Sequence, residues 1–136
     1  MNENIALIKK VYDAFGRGDV QTILNSLTPD VEWRYDAPAA IPYSGARRGP
    51  GEVMGFFAAI ATTEEKQLLE ISEFMASGDE VITLGTYSAT AKASGKSYSV
   101  RLAHIFTIRD GKIARFLNFS DTAAVAEAHS ASAARA

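Results

Sequence analysis

The stretch from Ser97 to Ser120, SYSVRLAHIFTIRDGKIARFLNFS, decides the fold of this chain. On both sides of its centre, large apolar residues largely alternate with polar or small ones, which is the period of a strand with one buried face. The centre is Arg-Asp-Gly-Lys at 109–112, where glycine supplies the positive φ of a hairpin turn. The pattern predicts two antiparallel strands, over 97–108 and 112–120.

Upstream of this hairpin the periodicity is first helical and then strand-like. Apolar residues at steps of three and four predict three helices, and alternation predicts further strands. The helices fall on 5–15, 20–27 and 53–60, and the strands on 31–36, 67–76 and 80–92. The proline- and glycine-rich stretch 37–51 is predicted to be a loop. Helices that precede a mostly antiparallel sheet indicate an α+β fold with the helices packed on one face.

Composition narrows the function classes. The 136 residues are enough for one domain with its own core. A net charge of −2 offers no basic footprint for nucleic acid, and the absence of cysteine excludes disulfides and thiolate chemistry. No apolar run reaches the length of a membrane span, and the first residues lack the features of a signal peptide. We therefore expect a cytoplasmic protein with no nucleic-acid or membrane partner.

Several short motifs resemble a known family. They are the Gly-Asp after the first helix, PDVEW at 29–33, PYSG at 42–45 and HIFTIRDGKIARFLNFSDT at 104–122. Together with the order of elements, they resemble the SnoaL-like, polyketide cyclase-like branch of the nuclear-transport-factor-2-like superfamily, which also contains the ketosteroid isomerases. The resemblance covers about residues 3 to 125.

The resemblance implies a particular architecture. The expected fold is a cone, a cystatin-like α+β barrel in which a strongly curved mixed or antiparallel sheet wraps around about three N-terminal helices. An apolar pocket at the wide end takes a small apolar or aromatic ligand, without a cofactor, and two copies pair across the sheet as a homodimer. Residues 1–125 are expected to form the domain, and residues 126–136 an Ala/Ser-rich C-terminal tail. The stretch from Thr122 is expected to start as a helix and then fray.

His104 is the sharpest chemical signal. It shares strand parity with Tyr98, Val100, Leu102 and Phe106, so it is the one ionisable group on an apolar face. The resemblance places it where ketosteroid isomerases carry an oxyanion-hole acid and where SnoaL-like cyclases often carry histidine. The catalytic interpretation competes with that of a core histidine paired to a backbone carbonyl.

Asn118 and Asp121 follow on the last strand. The resemblance places Asn118 at the inward position where cyclases of this branch carry an acid/base aspartate, and an amide can orient a carbonyl but cannot transfer a proton. Asp121 has the opposite parity in an unbroken strand. It either reaches the rim of the pocket as a catalytic group or caps the helix that starts at Thr122.

The first strand leaves a second alternative open. Counting back from Pro42, Asp36 falls on the position of the isomerase general base; counting forward from Asp30, Tyr35 falls there. Strict alternation places Asp36 on the polar face. The oxyanion tyrosine of the isomerases is matched by Val11, and Tyr12 is expected to point about 100° away from it.

Aromatic residues supply the rest of the expected ligand contacts. The residues expected to bind substrate are Trp33, Tyr35, Tyr43, Phe56, Tyr87, Leu102, Phe116 and Asn118. No metal site is expected, because the two histidines, His104 and His129, lie far apart in the sequence and His129 falls in the tail.

These residues favour a cofactor-independent enzyme that acts on a carbonyl-containing ring compound by isomerisation, cyclisation or dehydration. The catalytic candidates are His104, Asp36 and Asp121. The alternative is a non-catalytic ligand-binding or accessory domain that keeps the pocket, which Asn118 in place of aspartate favours. A pure protein-interaction module has no use for a histidine on a buried apolar face.

Overall fold

A computed structural model describes residues 2–130 and contains one six-stranded sheet with four helices. In chain order the elements are α1 Glu3–Gly16, α2 Val20–Asn25, β1 Leu27–Tyr35, β2 Gly45–Arg48, α3 Gly49–Thr63, β3 Glu64–Ser77, β4 Glu80–Ala91, β5 Ser97–Arg109, β6 Lys112–Ser120 and α4 Thr122–His129. The order of strands across the sheet is β2-β1-β6-β5-β4-β3. Only the β1–β6 pair is parallel among these strands; the other neighbours are antiparallel.

The mixed α+β fold with a curved sheet and N-terminal helices is confirmed. Register shifts interrupt the pairing of β1 with β6, of β3 with β4 and of β5 with β6, and such bulges bend strands. Helices α1 and α3 pack against the sheet, and α4 packs on β4 and β5. The core lies between these helices and the sheet.

The meander matches the expected strands closely, and the differences lie elsewhere. Strand β1 begins at Leu27 rather than 31, and its register to β6 shifts between Leu27 and Glu32. The predicted loop contains the short strand β2. Helix α4 continues through His129, beyond the expected domain boundary at 125, because Val125 and Ala128 are buried in the core. Residues 131–136 of the expected tail lie outside the described residues.

Three of the four described helices begin where a short polar side chain accepts a backbone hydrogen bond. Asn2 caps α1, Asp19 caps α2 and Asp121 caps α4. Within residues 2–130, none of the helices has the length and apolar character needed to cross a membrane.

Candidate functional site

A cavity of about 90 Å³ lies between the helices and the sheet. Its wall is almost entirely aromatic and aliphatic. Nine residues expected from the sequence to contact substrate or to act in catalysis lie on this wall: Trp33, Tyr35, Tyr43, Phe56, Tyr87, Leu102, His104, Phe116 and Asn118. Alternate residues of a strand share one face, and the faces of β5 and β6 that carry Leu102, His104, Phe116 and Asn118 point into the cavity.

His104 lies on β5 between two polar neighbours. It is directly opposite Thr83 of β4 and Asn118 of β6. Burial lowers the pKa of His104 to about 3, because the apolar surroundings disfavour the charged ring. The imidazole is therefore neutral at physiological pH, with one ring nitrogen protonated and the other free to accept.

The partner of His104 is Tyr12 of α1. The hydroxyl of Tyr12 lies 2.7 Å from Nδ1 of His104 and 2.6 Å from Oγ1 of Thr83. Tyr12 was expected to point about 100° away from Val11, and it nevertheless reaches the cavity wall. The inward face of α1 is wide enough for both Val11 and Tyr12 to reach the cavity wall. Burial raises the pKa of Tyr12 above its usual range, so that it remains a phenol.

The two carboxylates proposed as catalytic lie outside the cavity. Asp36 is exposed just after β1, and its Oδ1 accepts from Nη2 of Arg34 at 3.0 Å. Tyr35, not Asp36, is the residue that faces inward. Asp121 caps α4 and accepts from the Ala124 amide at 3.1 Å. Strict alternation and helix capping account for both positions, so neither carboxylate is placed to act on a ligand in the cavity.

Two polar atoms of the wall have no hydrogen-bond partner. Within residues 2–130, Nε1 of Trp33 and Oδ1 of Asn118 are both buried and unpaired. The Trp33 ring stacks on Phe116 with 4.1 Å between centroids, and Phe116 is two residues from Asn118 on the same face of β6. A buried polar group without a partner is costly. The unpaired donor of Trp33 and the unpaired acceptor of Asn118 could therefore both gain a partner from a polar group of a ligand.

A second polar cluster was not predicted from the sequence. The Glu64 side chain is fully buried at the start of β3, and its oxygens contact the hydroxyls of Tyr43, Tyr87 and Tyr98 and Nε2 of His129. Burial first, and then Glu64, raise the pKa of the three tyrosines, which therefore remain hydrogen-bond donors. Tyr98 shares the strand parity of His104, so alternation is the signal that could have revealed it.

The described residues contain no group of three His, Cys, Asp or Glu side chains arranged to hold a metal ion. His104 and His129 contact different clusters, His104 through Tyr12 and His129 through Glu64.

Comparison with known proteins assigns the family. A sequence model of the SnoaL-like domain matches residues 8–116. The chain belongs to the SnoaL-like domain family. An uncharacterized protein of Mycobacterium tuberculosis is 25% identical to this SnoaL-like chain over 116 residues, which are 85% of this chain and 87% of that protein.

Solved structures share the SnoaL-like fold over nearly the whole chain. A protein of unknown function from Burkholderia pseudomallei, described as NTF2-like, is 29% identical with a TM-score of 0.88, covering 96% of this chain and 99% of that one. TerC, co-crystallized with polyporic acid, is 30% identical with a TM-score of 0.83, covering 94% of this chain and 98% of that one.

Proposed function

We propose that this SnoaL-like protein is a cofactor-independent enzyme that isomerises, cyclises or dehydrates a carbonyl-containing ring compound. The observation that carries the proposal is His104, a neutral imidazole on an aromatic wall whose Nδ1 is held by Tyr12. In a dry cavity a fixed donor stabilises negative charge on a carbonyl oxygen far better than it would in water.

The hydrogen-bond chain gives His104 a definite role. If Thr83 donates to Tyr12 and Tyr12 donates to Nδ1, the ring proton sits on Nε2, and the imidazole can donate it to a ligand. A group with a pKa of about 3 is a weak base at neutral pH, so the lowered pKa of His104 favours a donor to a developing oxyanion over a proton acceptor. A neutral histidine is known to act in this way.

Trp33 and Asn118 complete the proposed oxygen site. The unpaired Nε1 of Trp33 is a second donor for a ligand oxygen, and the unpaired Oδ1 of Asn118 accepts from a ligand hydroxyl. TerC was co-crystallized with polyporic acid, which supports an aromatic, oxygen-bearing ligand for this related cavity.

The size of the cavity sets a condition on binding. Its volume of about 90 Å³ is smaller than the cavity of about 150 Å³ that binds benzene in an engineered protein. A ring compound therefore enters only if side chains of the wall move, and we expect association slower than ordinary diffusional binding.

The alternative is a binding domain without catalysis. No Asp or Glu lies among the cavity-lining residues in the range 2–130, so the described wall lacks the carboxylate that would move a proton. The lack of a carboxylate on the wall, together with the amide of Asn118 where cyclases of this branch carry an aspartate, favours the alternative.

The first experiment measures binding through Trp33. It is the single tryptophan of the chain and lies on the wall, so a ligand in the cavity changes its fluorescence. With polyporic acid as the probe, we expect saturable quenching in the wild type and at least about tenfold weaker binding in His104→Ala. Arg101→Ala, exposed on the same strand, serves as the control. Equal affinity in the wild type and His104→Ala would remove His104 from the site.

The second experiment separates enzyme from binder. In deuterated water, stabilisation of the enolate oxygen by His104 accelerates exchange of the α-hydrogens of 2-tetralone: a buffer base removes each proton and the solvent returns deuterium, which mass spectrometry detects. We expect His104→Gln to lose this exchange while it keeps a measurable affinity for the ketone. Binding without exchange in the wild type would favour the binding domain.

A further inference from the structure

A groove of about 490 Å³ opens on the surface beside the cavity. It lies between the end of α1, the turn that leads into α2, the last part of α3 and the first part of β3. Because β3 is an edge strand of the sheet, no further strand covers this side of the groove. The groove takes no part in the proposed function so far, yet it is several times larger than the cavity of about 90 Å³.

One layer of side chains separates the groove from the cavity. Five residues line both spaces: Tyr12, Phe15, Phe57, Ile60 and Leu69. The ring centroids of Phe15 and Phe57 lie 6.1 Å apart, and Phe15 and Leu69 are only partly buried. Tyr12 connects this layer to His104, because its hydroxyl lies 2.7 Å from Nδ1 of the imidazole. The groove therefore begins one side chain away from the proposed carbonyl site.

The groove offers apolar surface and no unpaired charge among its described lining residues. Its one charged side chain, Arg17, pairs with Asp13 and Asp19. The Gln67 amide donates to a backbone carbonyl oxygen three residues earlier, at 3.4 Å. Leu68 lines the groove with 52% of its surface exposed. Apolar surface gains free energy when it is covered, so the groove suits an uncharged apolar chain rather than an anionic group.

We propose that the groove is the outer half of the ligand site and binds an uncharged apolar chain attached to the carbonyl compound that occupies the cavity. The inference rests on the proposed function, in which His104 contacts the carbonyl oxygen. The cavity is too small for a ring with a long substituent, and the groove receives that substituent when the shared layer of side chains parts. The ligand class narrows to ring ketones that carry an alkyl or similar apolar chain.

Two glycines provide a matched pair of variants. Gly16 lines the groove at the end of α1, whereas Gly55 lies on α3 and lines neither the groove nor the cavity. Both are exposed, neither has a positive φ, and a Cβ at either position would meet no atom of another part of the chain within 4 Å. Glycine is a poor helix former, so both positions should accept a larger side chain. Gly16→Phe fills part of the groove, and Gly55→Phe adds the same ring elsewhere.

Three phenyl ketones of increasing chain length test the groove: acetophenone, butyrophenone and hexanophenone. They share the ring and the carbonyl, and the longest carries four more methylenes than the shortest. A methylene taken fully out of water gains about fourfold in affinity, and one in an open groove gains about twofold. From acetophenone to hexanophenone, the affinity of the wild type should therefore rise about tenfold, as measured by quenching of Trp33 fluorescence.

The variants locate this gain in the groove. In Gly16→Phe we expect the rise from acetophenone to hexanophenone to shrink to less than about threefold, with the affinity for acetophenone close to that of the wild type. Gly55→Phe should keep the full gain. If Gly16→Phe does not fold, Ala61→Phe fills the groove from α3, and Ala58→Phe, one turn earlier on the same helix and also exposed, is its control. His104→Ala should weaken all three ketones alike, because they share the carbonyl.

The remaining outcomes separate the inference from the proposed function. The same gain in the wild type, Gly16→Phe and Gly55→Phe, or no gain in the wild type, overturns the groove as a ligand site; the proposed function stands if His104→Ala still weakens all three ketones. If Gly16→Phe instead halves the mass measured by light scattering, the groove is a contact with a second copy of this chain, which also overturns the inference. A wild type that binds none of the ketones overturns both.

Discussion

The two ends of the cavity handle buried polarity in opposite ways. At one end His104 is neutral, hydrogen-bonds with Tyr12 through Nδ1, and lies on the same wall as the unpaired atoms of Trp33 and Asn118. At the other end Glu64 contacts three tyrosine hydroxyls and one imidazole nitrogen. A histidine can lose its charge by shifting its pKa, whereas the Glu64 side chain is surrounded by groups that hydrogen-bond with both of its oxygens.

This difference predicts different sensitivities. Substitutions at the His104 end should leave the folded state largely intact and weaken mainly the binding of a ligand. Substitutions at the Glu64 end should lower the free energy of unfolding, because the removal of one side chain leaves several buried groups without partners.

The largest effect is expected for Glu64→Ala. The change leaves three buried hydroxyls and one imidazole without their shared acceptor, and we expect the free energy of unfolding to fall by about 3–5 kcal/mol. Urea unfolding followed by circular dichroism measures this loss. Glu65→Ala, at the exposed neighbouring position, should change stability by less than about 0.5 kcal/mol. A similar small loss for both variants would contradict the comparison.

The next effect is a pH dependence of stability at the His104 end. The unfolded chain protonates His104 below its ordinary pKa of 6.5, while the folded protein keeps it neutral down to about pH 3. Because the unfolded state binds more protons in this window, stability falls as the pH falls. Between pH 7 and pH 5 the wild type should lose about 2 kcal/mol more than His104→Gln does. Parallel urea-unfolding curves for both proteins at these pH values would show that His104 titrates normally.

A smaller effect is expected for Thr83→Val. The change removes the hydroxyl that lies 2.6 Å from Tyr12 and leaves the Tyr12–His104 contact in place. We expect a loss of about 1 kcal/mol in the free energy of unfolding. Thr86→Val on the other face of β4 is the control and should be close to neutral. If Thr83→Val lowers the free energy of unfolding by well over about 1 kcal/mol, the Thr83 hydroxyl also holds Tyr12 and His104 in position.

The smallest effect on the subunit itself is expected for Phe119→Asp. Phe119 follows Asn118 on β6, points to the opposite face and is 55% exposed, and Ile82, Leu84 and Ile105 have the same outward parity. The expected homodimer across this face should dissociate, so that light scattering falls from twice 14.6 kDa to the single-chain mass. Urea unfolding of the isolated subunit should change little. A wild type of single-chain mass at micromolar concentration would rule out the dimer.

Strand alternation explains why the His104 end could be predicted. An ionisable residue in a run of apolar inward positions is visible in the sequence itself, and β5 keeps its register from Ser97 to Thr107. Tyr12 was placed wrongly because the expectation depended on matching one helix position to a remote family. A one-residue error in that match rotates a side chain by about 100°.

The Glu64 end gave no comparable signal. Glu64 stands in Thr-Thr-Glu-Glu-Lys at the junction of α3 and β3, where polar residues are ordinarily exposed. A register shift between Glu65 and Leu68 interrupts the alternation that could have been traced back from the rest of β3. His129 stands in an alanine-rich stretch, and only the tertiary packing of α4 brings it to the carboxylate.

The contact between His129 and Glu64 also has a consequence for the order of folding. The two residues are 65 positions apart, so a ribosome makes the carboxylate long before it makes the imidazole that contacts it. Until α4 docks, Glu64 lacks one of its four partners, and the cavity lacks the wall that Val125 provides. Closing so long a loop is entropically slow, and the contact between Glu64 and His129 has to wait for it. The last described helix therefore completes both the Glu64 cluster and this part of the cavity wall, and a nascent chain that has not yet made α4 has neither.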